Sequence, residues 1–563
     1  MPTAFNLDKV QPRRGAAVLV DVLRSEGVRH IFGNPGTTEM PLMDALVGAP
    51  DLSYILGLQE ASVVAMADGY AKASGRPGFV NVHTAGGLGH GMGSLIAAQV
   101  GQTPLVITAG QQDTRHGVTD PLLSGNLVAI AGPVVKWAHE VGRTDDIPLL
   151  FRRAFHDCAA APAGPVFLSL PLDIMDGMTS AGPGQVSRIE RAPVAGGLGE
   201  LSAALAAIAP GRLALIVGDE VFGSGASMEA VALADALGAP VYGSSWPGHF
   251  PFPTEHPLWR GSLPHRGTDL QALFGGFDAV FALGGQSVIT YVYSPGVAIP
   301  AGCKLFQLSA SVRELGRSYA AELACVGDIK TSLQALLPLL AASLMPHAAA
   351  IGALLQQASQ DRTARHREFT MRATAEFTAP LTTPFAAAAE VARAIPQHVA
   401  IVDEAPATTA GLRSLLHSPS TRQYYGMRSA ILGWGMPAAV GVSLGLDRAP
   451  VVCTIGDGAA LYSPQALWTA AREKLPVTFV VMNNREYNIL KTFMRGQPHY
   501  TSIGANRFIG MDITEPPVDY VALAASFGVP ACRVESAGEI AGAVEAGIAS
   551  GRPNLIDVAI TPT

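Results

Sequence analysis

The chain has 563 residues, of which 48% are hydrophobic and 15% charged, and its formal net charge is −7. That length exceeds a single core and suggests three or four domains, while the apolar balance excludes a disordered chain. A net negative chain offers no basic field to a nucleic-acid backbone, so no nucleic-acid partner is expected. No apolar run reaches the ~18 residues of a spanning helix without Gly, Pro or charge interrupting it, and no membrane partner is expected either. The opening MPTAFNLDKVQPRRG lacks the apolar stretch of a secretory signal. Five scattered cysteines (Cys158, Cys303, Cys325, Cys453 and Cys532) form no CxxC and suit a reducing cytoplasm.

In chain order, HIFGNPG, GFVNVHTAGG and TPLVITAGQ each read as a buried strand running into a glycine loop, and GPVFLSLPLD as a strand ending in a Pro-Leu turn. EASVVAMADGYAKASG and GMGSLIAAQVG carry helical spacing between them. Strand, loop and helix repeated in this way predict a parallel sheet covered by helices on both faces, over residues 1–180. The Gly- and Pro-rich stretch 180–197 reads as a linker. A second α/β unit, 198–340, holds LALIVGDEV, ALADALGAPVYGSS, DAVFALGG and CKLFQLSA. Its LALIVGDEVFGSGA has glycines that do not fit G-x-G-x-x-G, so dinucleotide binding is not expected at this loop, and no motif in this middle unit supports FAD. Residues 341–382, charged and helical before a proline break, read as a connector. A third α/β unit, 383–563, contains HVAIVDEAP, APVVCTIGDGAALYS, LPVTFVVMNN and PNLIDVAITP. The expected fold is α/β, with three doubly wound parallel-sheet domains and a duplicated or triplicated plan.

The richest chemistry lies in the third unit. Asp457, in VVCTIGDG, and Asn484, in VTFVVMNN, stand 27 residues apart, each at the C-terminal end of an apolar strand. Ligands bind beyond such strand ends in open parallel sheets, and the single intervening helix SPQALWTAAREK would make the two strands neighbours. A carboxylate, an amide oxygen and a loop carbonyl are hard donors that suit Mg²⁺ with positions left for phosphate oxygens. Gly456 and Gly458 let the backbone approach a phosphate, and the following helix start favours an anion.

GDG, some 25 residues, then NN resembles the diphosphate–metal motif of the thiamine-diphosphate enzymes. GNPGTTEMPLMDAL, LQEASVVAMADGYA and NVHTAGGLGHGMGSL are similar to their pyrimidine-binding domain, PFPTEHPLWRG to their middle domain, and YYGMRSAILGWGMPAAVGV to their diphosphate-binding domain. Within the pyruvate decarboxylase and acetolactate synthase superfamily, the likeness is to the benzoylformate decarboxylase branch. The resemblance implies thiamine diphosphate and Mg²⁺ (or Ca²⁺ in its place) as cofactors. It also implies a homodimer or homotetramer with the cofactor at the subunit interface, acting on 2-oxo acids and aldehydes.

The same resemblance assigns residues. Glu60 would meet the aminopyrimidine of the cofactor; on composition alone it is a carboxylate at the start of an apolar helix. Leu432 would wedge under the cofactor, Ala430 would accept a hydrogen bond from its amino group, and Ala459, Tyr487 and Thr408 would join Gly456 and Gly458 around the diphosphate. Asp457, Asn484 and the backbone carbonyl of Glu486 would hold the metal. His83 and Thr37 would meet the substrate carboxylate. Tyr291 stands where a second active-site histidine is usual, and a phenol of pKa near 10 does not shuttle protons at neutral pH. Pro406 and Ala407 replace hydroxyl residues, His90 replaces an asparagine, and Gly426 replaces an aromatic wall residue, which predicts a wider pocket. Ile489, Leu490 and Phe493 read either as the rest of that wall or as an ordinary buried helix stripe. The implied reaction is decarboxylation of a 2-oxo acid with carboligation to aldehydes. The alternatives are a dedicated carboligase or lyase of the acetolactate synthase or benzaldehyde lyase type, and a cofactor-binding protein without turnover.

Overall fold

The computed structural model describes residues 11–187, 189, 191–291, 293–416, 418 and 423–562. By contact the chain divides into two compact units. The first takes residues up to 188 together with 429–449 and 461–475; the second takes the remainder.

In the first unit, β1 (Arg13–Arg14) anticipates a short antiparallel ribbon, and a six-stranded sheet follows. Its strands are β2 (His30–Gly33), β3 (Ser53–Leu56), β4 (Gly78–Val82), β5 (Leu105–Gln111), β6 (Ala138–Glu140) and β7 (Val166–Pro171). β8 (Met178–Thr179) then pairs with β1. The sheet runs in the order β3-β2-β4-β5-β7-β6, all parallel. β4 and β7 are buried along their whole length, which is why they read as unbroken apolar runs rather than alternating ones. Phe79, Val106, Phe151 and Leu168 centre the core on one face.

The glycine loop expected after His83 is instead the first turn of a helix, Thr84–Val100. Thr84 makes the turn alone, at φ 49°, and the Gly87 N–H donates to the His83 carbonyl at 2.8 Å. Helix Glu60–Ser74 begins one residue after its cap, Gln59, whose side chain accepts from the Ser62 N–H at 3.0 Å. Against it lies helix Gly435–Gly445, from far along the chain. The crossing requires glycine at 441, because a Cβ there would stand 1.9 Å from the Met66 carbonyl oxygen.

The second unit holds two sheets. The first contains β9 (Leu213–Val217), β10 (Val241–Gly243), β11 (Trp259–Ser262), β12 (Ala279–Leu283), β13 (Lys304–Ser309) and β14 (Leu323–Val326), in the order β11-β10-β9-β12-β13-β14. The other contains β15 (Ala400–Glu404), β16 (Tyr424–Gly426), β17 (Val451–Gly456), β18 (Val477–Asn483), β19 (Ala531–Val534) and β20 (Asn554–Ala559), in the order β16-β15-β17-β18-β20-β19. Numbered within each sheet, the first and last share the order 2-1-3-4-6-5, while the middle one is 3-2-1-4-5-6. The first and last sheets thus share one plan, and the middle sheet has its own.

Among the described residues, 329–377 is the one stretch whose helical length and hydropathy would suit a membrane crossing. Pro338 and a 3-10 turn at Met345–His347 divide it. Its residues Leu333, Leu336 and Leu340 are fully buried in the core beside the middle sheet, while 17% of its most apolar window is buried. The connector predicted over 341–382 contains one long exposed helix, Ala348–Phe377.

Candidate active site

Each outer sheet changes direction between two neighbouring strands, and the crevice beyond such a switch point is where an open α/β sheet binds ligands. In the last sheet the switch falls between β15 and β17. Asp457 follows directly on β17. Its Oδ1 accepts from the Gly458 N–H at 2.7 Å and its Oδ2 from the Arg485 N–H at 2.6 Å. The second bond ties the end of β17 to the loop after β18, so Asp457, Asn484 and Glu486 meet. Arg485 takes φ 58° to make that turn.

Burial pushes the Asp457 carboxyl up to about 6, the backbone N–H donors only partly opposing it. A buried carboxylate met by backbone donors alone is costly to ionise, and a cation beside it would remove that cost. Asn484 Oδ1 accepts from the Glu486 N–H at 3.1 Å, which orients its amide oxygen. The Glu486 carboxylate is paired with Lys491, so its backbone carbonyl is the group suited to a metal. The donors are hard oxygens and fit a small divalent cation.

Gly456 closes β17, and Gly458 lies so close to the Tyr487 ring that a Cβ there would stand 2.6 Å from it. Ala459 is buried beside them. The Tyr520 hydroxyl donates to the Asp457 carbonyl at 2.9 Å. Thr408 is buried too, but its hydroxyl donates to the Ala405 carbonyl at 3.2 Å, so its one proton is directed at its own helix. Behind the switch point, Asp403 collects the hydroxyls of Tyr424 at 2.5 Å, Thr454 at 2.9 Å and Thr409 at 3.1 Å. This network crosses β16, β15 and β17, and sequence reasoning missed it.

Helix Asn488–Arg495 follows directly on this loop. Ile489 and Leu490 are exposed and Phe493 is partly so, which removes the buried-stripe alternative and leaves an apolar face open for a ligand. Tyr291 is half-exposed, and its ring lies 5.3 Å from that of Phe493 and 6.0 Å from that of Trp246. Gly426 ends β16 fully enclosed. The widening expected there does not occur.

In the first sheet the switch falls between β2 and β4, and Thr37 and His83 follow those strands. His83 Nδ1 lies 2.8 Å from Glu39 Oε2 and 3.0 Å from the Thr38 hydroxyl. Glu39 is almost completely buried and also accepts from the backbone N–H groups of Gly36 at 2.8 Å and Gly110 at 2.9 Å. Thr37 is exposed at the same turn. The residues that fix the imidazole are thus Glu39 and Thr38, which the sequence did not single out; the only available signal was a carboxylate beside the predicted Thr37.

Glu60 is mostly buried at the start of its helix, and its Oε2 lies 3.2 Å from Nδ1 of the exposed His90. Ala430 and Leu432 belong to the same unit as Glu60. Ala430 takes φ 56°, an uncommon conformation for a residue with a Cβ, and Leu432 is partly exposed rather than part of the core.

Three family descriptions match the chain: "Thiamine pyrophosphate enzyme, N-terminal TPP binding domain" over residues 13–123, the central domain over 201–336, and the C-terminal TPP binding domain over 408–558. Benzoylformate decarboxylase of Pseudomonas aeruginosa is 33% identical over 96% of this chain and 97% of that protein. The thiamine diphosphate-dependent 4-hydroxybenzoylformate decarboxylase of Rhodococcus jostii RHA1 superposes with a TM-score of 0.85 at 28% identity, covering 98% of this chain and 100% of that one. Benzoylformate decarboxylase of Polynucleobacter necessarius gives 0.85 at 30% identity, covering 98% and 99%.

Proposed function

The chain belongs to the thiamine pyrophosphate enzyme family, and on that premise we propose that it decarboxylates a 2-oxo acid of the benzoylformate type and joins the product to aldehydes. The observation that carries this reading is the imidazole of His83, fixed by buried Glu39 at the switch point of the first sheet. With Nδ1 turned to that carboxylate, Nε2 is the nitrogen directed to a substrate carboxylate, and the hydroxyl of exposed Thr37 assists at the same turn.

When bound, thiamine diphosphate supplies the electron sink that a 2-oxo acid needs to lose CO₂. The chain supplies the setting. Glu60 would exchange a proton with the cofactor's aminopyrimidine, and the Ala430 carbonyl would accept from its amino group. Leu432 would support it from below. Asp457, Asn484 and the Glu486 carbonyl would hold Mg²⁺, or Ca²⁺ in its place, against the diphosphate. Gly456, Gly458, Ala459 and Tyr487 would line that end. Since the Thr408 hydroxyl donates to Ala405, the backbone would do more of the phosphate binding than Thr408. Ile489, Leu490 and Phe493 would face the substrate's apolar part. FAD is not part of this reading, since no motif in the middle domain supports it. The enzyme would act in the cytoplasm as a homodimer or homotetramer, with the cofactor at a subunit interface.

A dedicated carboligase or lyase is the second reading. It is favoured by Tyr291, a phenol stacked among aromatic rings where an imidazole would protonate the intermediate. One assay separates the readings: incubation with thiamine diphosphate, Mg²⁺ and a panel of 2-oxo acids, with CO₂, aldehyde and hydroxy ketone followed separately. Aldehyde with CO₂ supports the decarboxylase, and hydroxy ketone without free aldehyde supports the carboligase. No product from any acid would leave only cofactor binding.

A further inference from the structure

Gly426 stands where the family resemblance implies an aromatic wall residue, yet the space is not empty. A Cβ at Gly426 would stand 2.9 Å from the Pro247 carbonyl oxygen and 3.1 Å from a guanidinium nitrogen of Arg413. The loop Trp246–His249 fills that volume and is bound to β16 at several points. The Gly426 N–H donates to the Gly248 carbonyl at 2.7 Å, and the indole N–H of Trp246 donates to the Met427 carbonyl at 2.9 Å. Asp219 accepts from the backbone N–H groups of Gly248 and His249, each at 3.0 Å, and from Arg428 at 2.8 Å. Arg428 also donates to the Gln286 carbonyl at 3.2 Å. The loop is therefore clamped from both sides.

Held in this way, the Trp246 ring stacks on Tyr291 at 6.0 Å and 23°, and Tyr291 lies against Phe493 at 5.3 Å and 34°. We infer that Trp246 is a specificity-determining residue: with Tyr291 and Phe493 it forms an aromatic ladder that receives a planar apolar group on the 2-oxo acid or the acceptor aldehyde. The identity of those substrates rests on the function proposed above; the ladder itself does not. The indole is pinned by its own N–H and by a loop bound to the neighbouring strand, so it loses little freedom when a ring packs on it. Trp246 takes over the wall that Gly426 gives up, from a different segment of the chain.

The test compares Trp246→Ala and Trp246→Phe with the wild type in two measurements. The first is the ratio of kcat/KM for phenyl-substituted over short aliphatic 2-oxo acids. It is expected to fall by about tenfold in Trp246→Ala and to be largely restored in Trp246→Phe, the size expected of one aromatic pair and its buried area. The second is the affinity of the cofactor-loaded protein for benzoate, which does not react, by calorimetry; the same order of loss is expected. If Trp246→Ala does not fold, Trp246→Leu, which keeps bulk without the ring, is read in its place. An unchanged ratio with unchanged benzoate affinity overturns the ladder while the decarboxylase reading stands. Weakened benzoate binding in a protein that decarboxylates no 2-oxo acid upholds the ladder and removes that reading.

Discussion

Glu39 and His83 face each other at 2.8 Å, carboxylate oxygen to Nδ1, and Glu39 holds this position through two backbone N–H donors from Gly36 and Gly110. A buried carboxylate fixed by backbone bonds sets which imidazole nitrogen carries the proton and where the other points. Glu39→Gln is expected to keep the fold and to lower kcat by about a hundredfold, as a displacement on the order of 1 Å at a reacting group does. The affinity for thiamine diphosphate should not change. Steady-state rates with calorimetric titration of the cofactor decide it: an unaltered kcat would make Glu39 purely structural.

Glu60 sits where the helix dipole stabilises its charge, with the exposed His90 beside it. Glu60→Gln should fold normally and lose nearly all turnover, because an amide does not exchange a proton with the aminopyrimidine. Circular dichroism and a CO₂-release assay are sufficient. A variant turning over at near wild-type rate would remove Glu60 from the mechanism.

Asp457 carries the one side-chain carboxylate of the proposed metal site, and its burial makes the uncompensated charge unfavourable. Asp457→Ala is therefore expected to abolish Mg²⁺-dependent binding of thiamine diphosphate, since the diphosphate would meet the strand ends without a counter-ion. Calorimetry showing the same affinity with and without the substitution would place the metal elsewhere.

Much of this arrangement is legible in the sequence, for physical reasons. Strands buried on both faces leave continuous apolar runs, so β4, β5, β17 and β18 announce themselves, and with them the residues that end them: His83, Asp457 and Asn484. What stays hidden depends on contacts distant in the chain. The Arg428–Asp219 pair joins residues 209 positions apart. Helix Gly435–Gly445 packs on helix Glu60–Ser74 through Gly441, although it connects strands of the other unit. Trp246 lies in a loop with no periodicity, and Glu39 reads as one more carboxylate before an apolar helix. Gly426 shows the limit most directly: a missing side chain implies space only if no other segment fills it.

Asp403 gives a stability prediction. Its carboxylate accepts from Tyr424, Thr454, Thr409 and the Ala405 N–H, and Tyr424 accepts in turn from Arg413 at 2.8 Å. Removing it leaves several buried donors without their acceptor and takes a nearby negative charge from the Arg413 guanidinium. Asp403→Ala should destabilise the fold by roughly 3–5 kcal/mol, read as a shift of the denaturation midpoint with unchanged slope. Asp403→Asn should cost less. A loss within about 0.5 kcal/mol, the range of ordinary surface changes, would show that water replaces the carboxylate.

On the function proposed above, Tyr291 would influence whether an aldehyde is released or joined to a second carbonyl. Its ring is held between Trp246 and Phe493 and is half-exposed, so it meets the site as an aromatic surface carrying a phenol. A phenol is a far weaker acid than an imidazolium and is the poorer proton donor at neutral pH. A slow proton donor at this position would leave more of the reaction to an acceptor aldehyde. Tyr291→His is thus expected to move the product ratio from hydroxy ketone toward free aldehyde, most clearly with aryl 2-oxo acids that pack on the same rings. His265 does not supply this proton in the wild type if the prediction holds, although its ring stands edge-on to Trp246 at 6.2 Å. The measurement compares products from both proteins at equal donor and acceptor concentrations, with cofactor loading checked. An unchanged ratio would assign the proton to another group, with His83 the first to substitute and His265 the second. A ratio restored to the wild-type value by also replacing His265 would show that the two imidazoles act together.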